Sequence, residues 1–478
     1  MTRLSATISI SSVLCLAILL AVAPCSAVAS PEVDRLAALA AQGDPAAVGS
    51  LVDLARNRKD ADAEYALGVL AYEGRGLERN PIEAFRLVER AAAKGQADAS
   101  NTLGFFYEHG VGTAVDLARA LASYRRGAEA GSARARTNLG WFYEQGIAVG
   151  KDPAIAADLY KQAAEQGLAA AHSNLANLYE SGLGVDRNPV VAIALYERAL
   201  AGGVASAALR LGRLQEARGN LSEAMTNYVV AANAKVPDAD LAAGRLLVTM
   251  VNPQRNVEQG VAWLDQAAAR GKVDALLLLA GIFDKGEQVA RDALRAADYF
   301  RRAALSGNAT AALSYAKHLG AANLSGPEND PLPWFRRAAE QGVADAQFEA
   351  ANLLEQRGSD EELKEALVWY RKAAAQGHLP SALKLGIALE TGRGAAPAPA
   401  EALPWFLKAA DANDPEALFR LGNLYDRGLG TTADFSRARD YYSRAATLGH
   451  PGAIRMVQKM IGLPTLEPLT NDPFKGIR

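Results

Sequence analysis

The chain has 478 residues, of which 50% are hydrophobic but only 7% are aromatic, and 51 basic against 53 acidic side chains leave a formal net charge of −2. This near-neutral, mixed-charge composition provides no electrostatic basis for binding nucleic acid or a membrane surface, and the high apolar content excludes disorder of the whole chain. Alanine makes up much of the apolar fraction, which favours many thin, closely packed helices.

The first 29 residues have the layout of a secretory signal peptide. Arg3 supplies a short positive region, residues 8–23 are largely apolar, and small residues precede the expected cleavage site after Ala29. The apolar run is shorter than the ~20 residues that span a bilayer. A lipoprotein signal that uses Cys25 is the alternative, but the preceding Pro24 fits that signal poorly. We therefore expect a periplasmic or secreted protein without a membrane span in its mature chain.

Both cysteines of the chain, Cys15 and Cys25, lie within this N-terminal segment. The mature chain is therefore expected to contain no disulfide, no cysteine nucleophile and no cysteine-ligated metal. An exported protein of this kind depends on packing for its stability.

Residues 30–60 are expected to form N-terminal capping helices, and residues 61–461 repeat with a period of about 36 residues. Eleven two-residue anchors mark the repeats: Leu67-Gly68, Leu103-Gly104, Leu139-Gly140, Leu175-Ala176, Leu211-Gly212, Ala243-Gly244, Leu279-Ala280, Tyr315-Ala316, Ala350-Ala351, Leu385-Gly386 and Leu421-Gly422. Each repeat reads as two helices joined by a loop. Glycine, which tolerates the left-handed conformation, ends most second helices. These glycines are Gly95, Gly131, Gly167, Gly203, Gly271, Gly307, Gly342, Gly377 and Gly449, and Lys235 and Asn413 replace them in two repeats.

Small and large side chains also recur at fixed positions of the repeat. Four residues after the end of the second helix lies an alanine: Ala99, Ala135, Ala171, Ala207, Ala239, Ala275, Ala311, Ala346, Ala417 or Ala453. Large rings recur in the second helices: Tyr124, Tyr160, Tyr196, Tyr228, Phe300, Phe335, Tyr370, Phe406 and Tyr442. Because small side chains let two helices approach closely, we expect the alanines at helix crossings and the rings beside them.

Residues 175–186, with the sequence Leu-Ala-Asn-Leu-Tyr-Glu-Ser-Gly-Leu-Gly-Val-Asp, and Tyr-Glu-Arg-Ala at 196–199 resemble Sel1-like repeats, which are looped relatives of tetratricopeptide repeats. The Trp-Phe or Trp-Tyr pairs that begin at Trp334, Trp369 and Trp405 are also typical of that family. The resemblance implies an all-α, right-handed superhelical solenoid of about eleven helix-turn-helix repeats. It also implies a concave groove that serves as a protein-binding scaffold.

Three repeats depart from the pattern in their loops, at residues 218–224, 251–256 and 326–333. A bend near residues 213–260 is one interpretation of these departures, and neutral variation of the loops is the other. The Pro-rich tail at 462–478 lacks the period and is expected to be extended, disordered or folded back on the repeats.

The sequence contains no recognisable catalytic or metal-binding pattern. The five histidines, His109, His172, His318, His378 and His450, do not have the spacing of metal ligands. The glycine-rich loops follow helices instead of strands, so they are interpreted as turns and not as phosphate loops. Some secreted, cysteine-rich members of the family are credited with binding penicillin-like compounds, but they depend on paired cysteines within repeats, which the mature chain is expected to lack. We therefore expect no enzyme activity, no cofactor and no metal.

The first helices carry a candidate partner-binding surface. Two residues after the anchor leucine or its equivalent, on the expected groove side, lie Phe105, Trp141, Asn177, Arg213 and Arg245. Immediately before the anchor lie Asn138, Asn174 and Arg210. Exposed aromatics flanked by Asn and Arg are suited to anchoring a peptide segment. The alternative is that Phe105 and Trp141 fill the core between repeats.

These observations predict an exported, non-enzymatic scaffold that binds a protein or peptide partner in its groove. The family resemblance implies a role in envelope signalling, host interaction or assembly of a complex. A scaffold for exopolysaccharide synthesis or secretion is an alternative, and an enzyme that acts on the cell wall or on β-lactams is a third.

Overall fold

The computed structural model describes residues 30–249, 256–287, 289–322 and 326–461, and this part of the chain is all-α, with 25 helices and no strand. Two helices precede the repeats: α1 (Pro31–Ala41) and α2 (Pro45–Asn57). The signal segment 1–29 and the tail 462–478, about which the sequence makes predictions, lie outside the described residues.

Eleven pairs of helices follow, each consisting of a first and a second helix. The first helices are α3 (Ala61–Glu73), α5 (Ala97–His109), α7 (Ala133–Gln145), α9 (Ala169–Ser181), α11 (Ala205–Ala217), α13 (Ala239–Thr249), α15 (Val273–Lys285), α17 (Ala309–Ala322), α19 (Ala344–Arg357), α21 (Leu379–Thr391) and α23 (Pro415–Arg427). The second helices are α4 (Pro81–Ala93), α6 (Leu117–Glu129), α8 (Pro153–Glu165), α10 (Pro189–Ala201), α12 (Leu221–Asn233), α14 (Val257–Ala269), α16 (Ala293–Leu305), α18 (Leu332–Glu340), α20 (Asp360–Ala375), α22 (Pro399–Asp411) and α24 (Phe435–Thr447). Helix α25 (Pro451–Met460) closes the series.

The chain forms two compact units, residues 1–246 and residues 247–478. Each helix packs against the next along the chain from α1 to α12 in the first unit and from α14 to α25 in the second. In the first unit the first helices α5 and α7 also contact each other directly. The architecture is the predicted all-α solenoid of helix pairs. The bend near 213–260 stays a prediction.

Local sequence signals explain where the helices begin and end. The side chains of Asp116 and Asp152 accept hydrogen bonds from backbone N–H groups in the first turns of α6 and α8, so they satisfy donors that a helix leaves unpaired. Gly110 ends α5 in the left-handed conformation. A Cβ on the next loop glycine, Gly112, would lie only 2.2 Å from the carbonyl oxygen of Pro81 in the preceding repeat. That glycine therefore permits close contact between repeats.

The predicted ends of the second helices are confirmed. All nine glycines there have positive φ, and Lys235 and Asn413 adopt the same conformation at φ 56° and 59°. The ten predicted crossing alanines are fully buried, and so are the large rings of most second helices. The anchor glycine makes room for these rings, because a Cβ on Gly104 would lie 2.6 Å from the Tyr124 ring. Gly140 and Gly212 face Tyr160 and Tyr228 in the same way.

Candidate functional site

In five repeats the buried tyrosine of the second helix donates a hydrogen bond to a glutamate five residues after the anchor on the first helix. The pairs are Tyr124–Glu108 at 2.7 Å, Tyr160–Glu144 at 2.8 Å, Tyr196–Glu180 at 2.6 Å, Tyr228–Glu216 at 2.7 Å and Tyr370–Glu355 at 2.8 Å. We call this arrangement the Tyr–Glu pair. Burial raises the pKa of Glu108, although the Tyr124 hydroxyl and His109 partly oppose that shift. In these five repeats the pair therefore links the first helix to the second.

The expectation that Phe105 is an exposed anchor is wrong. Its side chain is buried, with 5% exposure, within the core formed by α3 to α7. The Tyr72 ring of the preceding repeat meets it edge-on with centroids 6.2 Å apart, and the His109 ring lies 4.2 Å away. Tyr72 lies five residues after its anchor, the position at which the next repeats have glutamate. The tyrosine ring that covers Phe105 therefore takes the place of a carboxylate side chain.

Trp141 is half-buried and packs edge-to-face on Phe142, with ring centroids 5.7 Å apart. Within the described residues it makes its ring contact with Phe142 and not with Phe105, and its indole N–H donates to no protein group. Trp141 is also the only tryptophan between residues 30 and 246. It therefore combines core packing with an accessible edge that retains a hydrogen-bond donor.

The three predicted asparagines lie half-buried on α7 and α9. Asn138 donates to the Oδ1 atom of Asn101 on the preceding first helix at 2.8 Å, so it links α7 to α5. The Oδ1 atom of Asn177 lies 2.5 Å from the Tyr196 hydroxyl and shares its single hydrogen with Glu180. Asn174 forms no hydrogen bond with its side chain within the described part of the chain. The amide groups of Asn174 and Asn177 thus retain donors for an external group.

The predicted arginines differ from one another in their pairing. Arg245 contacts both carboxylate oxygens of Glu216 at 2.7 Å, so it is already engaged. Burial alone would raise the pKa of Glu216, but hydrogen bonds from Arg245 and Tyr228 outweigh it and lower the pKa below its ordinary value. Arg210 and Arg213 of α11 are exposed, and neither forms a salt bridge within the described residues.

Six of the eight predicted residues occupy equivalent positions on three consecutive first helices. Because residues three apart share a face of a helix, each of three consecutive first helices presents one pair of them. We call this set the polar face: Asn138 and Trp141 on α7, Asn174 and Asn177 on α9, and Arg210 and Arg213 on α11. It offers amide donors, one aromatic edge and two cations without a salt bridge, which suits an extended segment that carries carbonyl and carboxylate groups.

The sequence reasoning missed the Tyr–Glu pair and the charged networks of the second unit. Glu355 accepts from Lys384 at 3.0 Å and from Arg393 at 2.8 Å, in addition to Tyr370. Arg420 binds Glu390 and Glu416, each at 2.6 Å. The signal for the pair was present in the sequence, since a glutamate five residues after the anchor coincides with a tyrosine in the second helix.

Among the residues that the structure describes, no group of three or more His, Cys, Asp or Glu side chains is arranged to hold a metal ion. No helix in those same ranges combines the length and apolar character needed to cross a bilayer.

Paired helices with buried alanines and an exposed face on the first helices define an α-helical repeat scaffold. Ten segments match the Sel1 repeat: residues 61–96, 97–132, 133–168, 169–204, 252–272, 273–308, 334–343, 344–378, 379–414 and 415–450. The chain therefore belongs to the Sel1 repeat family, whose fold commonly serves protein interaction. The unmatched segments include the whole of two of the three departures that the sequence reveals, at 218–224 and 326–333.

The solved structures that are similar to this chain include the following two. A protective antigen of uropathogenic Escherichia coli strains that displays an SLR fold is 28% identical, with a TM-score of 0.64 over 87% of this chain and 91% of that chain. A Sel1 repeat protein from Oxalobacter formigenes is 23% identical, with a TM-score of 0.34 over 57% of this chain and 98% of that chain. No curated protein matches the sequence.

Proposed function

We propose that this chain is an exported, non-enzymatic scaffold that holds a protein or peptide partner on its polar face. The observation that carries the proposal is the pair of exposed arginines without a salt bridge, Arg210 and Arg213, at the repeat positions that the half-buried Asn174, Asn177 and Trp141 occupy on the preceding first helices. Unpaired guanidinium groups bind carboxylates in a bidentate manner, and an aromatic edge adds apolar contact. A role in envelope signalling, host interaction or assembly of a complex follows from this proposal and from the expected export.

The first experiment captures partners by crosslinking from the native envelope. We expect the double variant Arg210→Glu and Arg213→Glu to capture the same partner at least tenfold less than the unchanged protein. Since both side chains are exposed, folding stability should change by no more than about 0.5 kcal/mol. The matched control is Arg86→Glu with Arg119→Glu, which reverses two arginines 66% and 68% exposed on second helices. Equal loss in the control, or no loss in the test variant, would contradict the proposal.

Trp141→Ala tests the aromatic part of the polar face. Because the ring is only half-buried, we expect an unfolding free energy lower by about 2 kcal/mol or less, together with weaker capture of the partner. A stability loss as large as that of a core tryptophan, with capture unaffected by Trp141→Phe, would assign this residue to the core alone.

Export and the absence of enzyme activity are tested separately. We expect mass spectrometry of the exported protein to give an N-terminus at Ser30, whereas acylation at Cys25 would identify a lipoprotein. Hydrolysis of peptidoglycan or of a β-lactam by the purified protein, abolished by a single substitution, would contradict the non-enzymatic assignment.

A further inference from the structure

A cavity of about 660 Å³ opens within the second unit, between the first helices α17 and α19. Its lining includes Lys317, Leu319 and Gly320 of α17, Phe335 of α18, and Asn352 and Leu353 of α19. Sites of 300–1,000 Å³ are typical for binding small groups. Lys317 and Asn352 occupy the repeat position that Trp141 and Asn177 occupy in the polar face, two residues after the anchor.

The cavity exists because this repeat lacks both members of the Tyr–Glu pair. Phe335 replaces the tyrosine and has no hydroxyl group, and Gly320 replaces the glutamate and has no side chain. A Cβ added to Gly320 would meet no atom within 4 Å, so the space that a carboxylate fills in other repeats is open here. The loop is replaced as well, since Asn329 and Pro331 form part of the cavity wall.

The lining combines an apolar floor with polar groups that have unused capacity. Phe335, Leu319 and Leu353 supply the apolar surface. The Nζ atom of Lys317 forms a salt bridge with Glu349 at 4.0 Å, which is beyond hydrogen-bond distance, and its side chain is 51% exposed. The Oδ1 atom of Asn352 lies 2.7 Å from the Tyr370 hydroxyl and shares its single hydrogen with Glu355, and the amide NH₂ of Asn352 makes no other hydrogen bond within the described residues.

We propose that this cavity is the anchoring pocket for one bulky apolar side chain of a partner peptide, with an adjacent carboxylate of that peptide bound by Lys317. The Asn352 amide donates to a main-chain carbonyl of the same peptide, and Glu349 accepts from a main-chain N–H. This assignment rests on the proposed function, because it gives the scaffold a partner segment in which an apolar residue is followed by an acidic one.

The experiment measures fluorescence anisotropy of the full chain with a fluorescein-labelled peptide Gly-Ser-Gly-Phe-Glu-Ser-Gly. We expect binding to weaken at least tenfold when the peptide Phe is replaced by Ser, and several-fold when its Glu is replaced by Lys. In the protein, Gly320→Leu should also weaken binding of the unmodified peptide at least tenfold, because the new side chain fills the cavity.

Two further variants separate filling of the cavity from damage to the fold. Gly320→Glu combined with Phe335→Tyr rebuilds the Tyr–Glu pair, so it should abolish binding while the protein remains folded. Gly49→Leu is the control, since Gly49 in α2 is an exposed glycine with no atom within 4 Å of an added Cβ. It should bind the peptide as the unchanged protein does.

The proposal is overturned if the unchanged protein binds none of the peptides, if Phe and Ser peptides bind equally, or if Gly320→Leu has no effect. Envelope capture distinguishes this failure from failure of the proposed function. If Gly320→Leu has no effect while Arg210→Glu with Arg213→Glu still abolishes capture, the scaffold function stands and only the pocket is wrong.

Discussion

The α5–α6 and α17–α18 repeats each consist of one first helix and one second helix, but they differ where these two helices face each other. In the former, Tyr124 lies against Gly104 and donates to Glu108. In the latter, Phe335 and Gly320 leave a cavity at the equivalent place. The comparison shows that crossing alanines and a buried ring suffice to hold a helix pair together. The Tyr–Glu pair decides whether the exposed side of that helix pair is filled or open.

The Tyr–Glu pair itself exists in two electrostatic settings. Burial raises the pKa of Glu108, which pairs with Tyr124 but has no salt bridge within the described residues. Burial also acts on Glu355, but hydrogen bonds from Tyr370 and Lys384 and the charge of Arg393 outweigh it and lower the pKa. The same tyrosine hydrogen bond therefore accompanies opposite shifts of the glutamate pKa, because cations surround Glu355 but not Glu108.

The largest expected effect comes from removing the rings. Tyr124→Ala should lower the unfolding free energy by about 4 kcal/mol, since it leaves a void in a closed core. Phe335→Ala should cost about 1–2 kcal/mol less, because part of that ring already borders open space and makes fewer contacts. Urea denaturation of each variant measures the difference. Tyr124→Phe, which removes only the hydroxyl, is the control and should cost about 1 kcal/mol. Equal losses at the two sites would show that the cavity does not loosen the Phe335 packing.

Adding volume should again destabilise the α5–α6 repeat more than the α17–α18 repeat. Gly104→Leu should destabilise by about 3 kcal/mol, because even a Cβ there would be 2.6 Å from the Tyr124 ring. Gly320→Leu should cause no loss, since the side chain enters an open space and leucine favours a helix over glycine by up to about 1 kcal/mol. The midpoints of thermal unfolding report the sign for each variant. Destabilisation by Gly320→Leu would mean that the cavity is closed in solution.

The smallest expected effect is electrostatic and depends on pH. Because the folded-state pKa of Glu355 is lowered, its contribution is present above the ordinary pKa and is lost as the pH falls through the folded value. Glu355→Gln should therefore cost about 1 kcal/mol at pH 7 and almost nothing at pH 3.

Glu108→Gln is the matched comparison. Its folded-state pKa is raised, so the contribution of Glu108 is present below the ordinary pKa and is lost as the pH rises through the folded value. This variant should be at least as stable as the unchanged protein at pH 7 and should lose that relative advantage in acid. Urea denaturation at pH 7 and pH 3 measures the unfolding free energy of both variants. If that free energy changed with pH in the same way in Glu355→Gln and Glu108→Gln, the two glutamates would not differ in their electrostatic surroundings.

Much of the fold could be predicted from the sequence because its determinants are local. The crossing alanines and the positive φ at Asn413 follow from which side chains tolerate close approach or a left-handed turn. Six of the eight candidate residues lie on the polar face for the same reason, since spacing along a helix fixes a face. Phe105 could not be placed in this way, because its burial depends on Tyr72, a side chain of the preceding repeat.

The sequence by itself determined the number of repeats, their family and the ends of their helices, because these depend on residues within about one turn of each other and recur at a fixed period. Only the tertiary structure decided that Phe105 is buried, that Arg210 and Arg213 form no salt bridge within the described residues, and that a cavity opens between α17 and α19. Those properties arise between helices that are tens of residues apart, where a hydroxyl or a carboxylate missing from one repeat changes the space that its neighbours enclose.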